Sequence, residues 1–173
     1  MALDSAIEWT DATWNPVTGC TKISPGCKFC YAERLTERFG RQPFAEIRLH
    51  PERLSLPLRW RTPRRIFVNS MSDLFHEKVP DGFIAQIFDV MAQAPQHVFQ
   101  VLTKRPDRLL AWQRSRTWPY PIPPHVWLGV SVESPGHLWR VDRLREVMWP
   151  SASSAPSRSS VRSPASTSRT SLG

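Results

Sequence analysis

Three runs rich in β-branched, aliphatic and aromatic residues begin near Ile66, Val98 and Val126. They lie about 30 residues apart, the length of a strand with its crossover helix. RIFVN reads as a buried strand. Pro80-Asp81 then opens a helix to about Ala94, with Phe83, Ile84, Ile87, Phe88 and Met91 on one face. HVFQVL (97–102) is the next strand, and Pro106 suits the first turn of a helix to about Arg114. VWLGVSV (126–132) is a third strand, followed by the helix-compatible HLWRVDRLREV. The repeated order predicts an α/β fold with parallel strands, either an open sheet or a (β/α) barrel.

Residues 1–30 have little helical periodicity and are rich in Trp, Thr, Pro and Gly, so they predict an extended segment followed by a loop. A helix follows at YAERLTERF with Gly40 as its stop, and Pro43, Pro51, Pro57 and Pro63 break up what comes next.

That early loop holds all the cysteines of the chain, as Cys20-x6-Cys27-x2-Cys30. Thiolates are soft ligands suited to zinc or to an iron–sulfur cluster. Gly19, Pro25 and Gly26 allow the loop to fold tightly around one centre. Three thiolates leave one coordination position to fill. A structural zinc site would complete it with His50 or His76. A catalytic cluster would keep it open for a small molecule. The start, MALDSAIEWTD, has no basic-then-apolar order and no run approaches the length of a membrane span, so a cytoplasmic, non-membrane protein is expected. Clustered cysteines in that compartment suit metal chemistry better than disulfides.

In parallel α/β folds the carboxyl ends of the strands line the site. Those positions here carry Asn69, Ser70, Ser72 and Asp73, then Thr103, Lys104 and Arg105, then Ser131 and Glu133. Lys104 and Arg105 suit a carboxylate or phosphate, and Asp73 or Glu133 a hydroxyl or amino group. His76 reads as a surface histidine. Trp9 and Trp14, beside the cysteine loop, are candidates for ligand contact, whereas Trp112, Trp127 and Trp139 read as packing residues. The formal charge of +8 is only mildly basic once Arg158, Arg162 and Arg169 of the last 23 residues are set aside, a balance compatible with nucleic acid.

Together, GCTKISPGCKFCYAERL, RRIFVNSMSDLFHE, QVLTKRP and VWLGVSVE resemble the successive motifs of the phage-associated gp thirty-seven / gp sixty-eight family, radical-SAM-like three-cysteine proteins. The resemblance runs from about Ser5 to Val147. It implies a 4Fe–4S cluster on Cys20, Cys27 and Cys30, with S-adenosylmethionine at the open iron and an electron donor as partner. Phe29 before the last cysteine, and the helix opening after it, are features of the radical-SAM loop; the six-residue gap departs from that superfamily's usual three. The implied chemistry is reductive cleavage of S-adenosylmethionine to a 5′-deoxyadenosyl radical that abstracts hydrogen from a substrate, possible substrates including nucleic acid. Asn69, Ser70, Asp73, Lys104, Arg105, Ser131 and Glu133 would then face the cofactor. The alternative is a zinc-stabilised nucleic-acid-binding protein without catalysis.

Residues 1–147 are thus expected to be the N-terminal part of a radical-SAM-like barrel, with its cysteine loop at 20–30. Residues 148–173 form a Ser/Pro/Arg-rich tail with the composition of a disordered segment. Residues 151–162 can be back-translated so that the adjacent frame reads GFLSAEPLLGP, a strand followed by a loop of the kind that continues the family pattern. A frameshift near Val147–Pro150 is therefore expected, and with it a truncated product; an inactive chain is the further alternative to a working enzyme.

Overall fold

The computed structural model describes residues 7–39 and 43–147. Gly40 and the 148–173 tail, with the proposed frameshift, lie outside the described residues. The chain is α/β, and its main sheet holds four parallel strands: β1 (Ala12–Trp14), β4 (Arg65–Val68), β5 (Val98–Thr103) and β6 (Val126–Val130), neighbours in that order. A two-residue ladder, β2 (Val17–Thr18) with β3 (Arg48–Leu49), runs antiparallel beside it. The helices are α1 (Tyr31–Phe39), α2 (Leu56–Arg59), α3 (Asp81–Gln93), α4 (Pro106–Ser115) and α5 (Trp139–Arg145).

Alternation explains the layers. Ile66, Val68, Phe99, Val101 and Val126 share one face of the sheet by register, and they join the core with Ile84, Ile87, Phe88 and Met91 of α3 and Leu109, Leu110 and Trp112 of α4. The opposite register positions, Phe67, Gln100 and Trp127, take no part in that core. Trp9 covers Phe67, with ring centroids 4.8 Å apart, but Trp127 is 54% exposed and Leu102 37%. Among the described residues, helices pack on one face of the sheet and the other is largely uncovered.

Three of the four strands, β4, β5 and β6, and the helices from α3 onward fall where the sequence pattern puts them, within a residue or two, whereas β1 lies in a segment expected only to be extended. Four side chains do not follow expectation. His76 is buried rather than superficial, and Thr21 reaches it from the cysteine loop. Trp127 and Trp139 are exposed rather than packed, and Trp14 is a core residue whose Nε1 donates to the Arg53 carbonyl. Trp112 is buried as expected.

Candidate metal centre

The cysteine loop begins where β2 ends, at Gly19 with φ of 87°. A β-carbon there would stand 2.0 Å from the Glu46 carbonyl oxygen, so only glycine fits the turn. The Gly19 amide donates to Met71 O (3.1 Å) and the Cys20 amide to Phe44 O (2.9 Å), which stitches the loop to the segments on either side. Pro25–Cys27 makes one 3₁₀ turn and α1 starts directly after Cys30.

All three thiols are free and half-buried, and all three line one cleft of about 340 Å³ at the carboxyl ends of the parallel strands. Phe29, Asn69, Ser70, Asp73, Lys104, Arg105 and Ser131 line the same cleft. The sequence therefore assembles most of its candidate residues around one space. Among the described residues, however, no three His, Cys, Asp or Glu side chains are already gathered as a metal-ligand set. The donor chemistry suits a thiolate-bound metal group, around which the loop would have to close on binding. His50 and His76, the candidate fourth ligands for zinc, do not line the cleft. Both rings are engaged, His50 with Thr18 and Glu52, His76 with Thr21 and the Lys78 amide.

The strand-end residues have divided roles. Asp73 Oδ1 accepts from Thr103 Oγ1 (2.7 Å) and the Phe75 amide (3.1 Å), while Oδ2 accepts from the Lys104 amide (2.9 Å). It thus ties the turn after β4 to the turn after β5. Arg105 is 6% exposed and reaches across to Cys20 and Thr21. Burial works against its charge, but Asp73 and Cys20 beside it hold the guanidinium above its ordinary pKa. Glu133 does not line the cleft. It accepts from the Ser24 hydroxyl and from Arg140 (2.6 Å), and Gly26 passes so close that a β-carbon would lie 2.6 Å from Glu133 Cγ. Burial opposes its charge, yet Ser24 and Arg140 keep its carboxyl below the usual range.

Two residues that line the cleft keep a polar group without a partner among the described residues. Asn69, in a left-handed conformation at φ 59°, spends Oδ1 on the Val17 amide, but its buried Nδ2 has no acceptor. The Lys104 side chain makes no hydrogen bond or ion pair with the described residues, and its charge acts on Cys27. The Cys27 thiol lies below its ordinary pKa: burial raises it, but hydrogen bonds with the backbone of Ile23 and Ser24 outweigh that. Burial pushes Cys20 up.

Sequence reasoning missed Asn15, Thr21, Tyr31, Phe44 and Glu77. Asn15 Oδ1 accepts from Ser70 Oγ and the Met71 amide, shaping the turn after β4. Tyr31 follows the last cysteine, and an aromatic at that point was a readable signal. Glu77 and Phe44 reach the site through contacts distant in sequence, with Arg105 and the Cys20 amide.

A parallel α/β sheet with three free cysteines in a cleft at its carboxyl ends describes a candidate metal-centre protein. The chain belongs to the family of proteins of unknown function DUF5131, which matches residues 4–153. No curated protein and no solved structure matches it. No helix among the described residues is long and apolar enough to cross a membrane.

Proposed function

We propose that this chain is a radical-SAM-like protein of the gp thirty-seven / gp sixty-eight kind, with a 4Fe–4S cluster on Cys20, Cys27 and Cys30. The observation that carries the reading is the set of three free cysteines on one cleft that, among the described residues, no histidine lines as a fourth ligand. That arrangement favours an iron left open to a small molecule over closed zinc. When bound, the cluster would supply an electron to S-adenosylmethionine and start radical chemistry. The protein's own part is to hold and orient. Asn69 Nδ2 would donate to a ligand acceptor, the Lys104 ammonium would pair with a carboxylate, and Ser70 and Ser131 would border the cofactor.

The sheet reads as the first half of a (β/α) barrel. Its strand order follows chain order without reversal, whereas a doubly wound sheet has a switch point. Its bare face would be the barrel interior. Nucleic acid is the favoured substrate class. Phe29, 70% exposed, has Lys28 Nζ at 5.5 Å and the Arg34 guanidinium at 5.6 Å from its ring, an aromatic face beside cations as in strand-binding grooves.

Anaerobic reconstitution with ferrous iron and sulfide tests the centre. The expected product is brown, with charge-transfer absorbance lost in C20S, C27S and C30S, and with a reduced-cluster spin signal altered by S-adenosylmethionine. Tight stoichiometric zinc without cluster uptake would overturn the reading in favour of a zinc-stabilised binding protein.

A further inference from the structure

Arg105 is the most heavily engaged side chain in the cleft. Nε donates to Glu77 Oε1 (3.0 Å). One terminal nitrogen reaches Cys20 Sγ (3.6 Å) and Asp73 Oδ2 (3.5 Å), and the other reaches Thr21 O and Oγ1 (both 3.1 Å). A guanidinium has five N–H donors, and these contacts occupy all of them. A ligand carboxylate would have to displace one, whereas the neighbouring Lys104 side chain has no partner among the described residues. The two adjacent cations therefore have different work: Lys104 faces a ligand and Arg105 faces the protein.

We propose that Arg105 is a positioning residue that locks Cys20 against the turn after β5 and, through its hydrogen bond to the sulfur, sets how readily a metal group held there accepts an electron. This rests on the reading of the cysteines as ligands. Reduction adds negative charge at a thiolate-bound metal group. A buried cation donating to one of its sulfurs stabilises that charge and raises the potential. A lysine would keep the charge but not the fork that spans Glu77, Asp73, Cys20 and Thr21. Glu77 is the natural counter-test. It is 63% exposed in its side chain, does not line the cleft, and tempers the charge of Arg105.

The test compares midpoint potentials of wild type, R105Q, R105K and E77Q after anaerobic loading with iron and sulfide. R105Q is expected to move negative, R105K to fall between it and wild type, and E77Q to move positive. Loosened packing would shift R105Q and E77Q in the same direction, so same-sign shifts, or none, overturn the proposal. Should R105Q fail to load, E77Q decides alone: a positive shift supports, and an unchanged potential overturns. Should wild type itself take up no cluster, the ligand reading fails separately. The lock is then judged by amide hydrogen exchange across residues 19–23 in the metal-free proteins. Faster exchange in R105Q supports the positioning role, and unchanged exchange overturns it.

Discussion

His97 lies fully buried just before β5, with Nδ1 accepting from the Arg64 amide (3.2 Å) and Nε2 bonded to the Pro57 carbonyl (3.1 Å). Trp60 and Phe99 pack on its ring. Burial, ahead of any other cause, lowers its pKa. The folded protein keeps this ring neutral, while the unfolded chain takes up a proton near the ordinary value of about 6.5. The contribution of His97 is therefore intact above that pH and is lost as pH falls towards the folded value. The denaturation midpoint is expected to drop between pH 7.5 and 5.5, and H97Q to show a shallower slope. An equal slope in H97Q would remove His97 as a cause. His50 shares the same direction, so some slope should persist. At this scale the sequence misleads most easily. His76 looks superficial in its own segment, yet it is buried and bonded to a threonine far away in sequence.

Elements are set by pattern, and their docking by a few large side chains. On α4, Trp112 is buried against Phe88, with centroids 4.6 Å apart, and against Trp118 at 6.4 Å. Its Nε1 donates to the Asp81 carbonyl at the start of α3 (3.2 Å), so one residue joins two helices. W112A is expected to cost about 3–5 kcal/mol by urea denaturation, as large aromatic truncations in cores do. W112F should recover part of this by refilling the space but not the hydrogen bond. The length and type of α3 and α4 are legible because apolar residues recur at helical spacing over three turns. The ladder of β2 and β3 is not: two residues per strand carry no period, and the pairing exists only because Gly19 and the 44–46 segment bring them together.

Across the molecule, the uneven covering of the sheet is the main consequence for behaviour. Parallel sheets are ordinarily buried on both faces. Here Trp127, Leu102 and Trp9, the last 41% exposed, leave an apolar surface on the side away from α3 and α4. Such a surface invites association. The double variant L102T/W127T is expected to bind less hydrophobic dye and to stay monodisperse at higher concentration, with far-ultraviolet circular dichroism unchanged. Dye binding equal to wild type would show that this face is covered in solution.

Read alone, the sequence determined the parallel α/β class, the positions of the main strands and helices, and the grouping of three thiols in one loop. All of these are local: periodicity, breakers and short spacing express themselves without reference to distant residues. Tertiary structure decided how the strand ends are used. Lys104 and Arg105 are neighbours of like charge, yet one side chain has no partner among the described residues and the other is bonded to Glu77, Asp73, Cys20 and Thr21. Glu133 steadies Ser24 and the turn at Gly26 instead of lining the cleft. A side chain's role depends on which partners meet it after burial, and those partners lie up to 109 residues away.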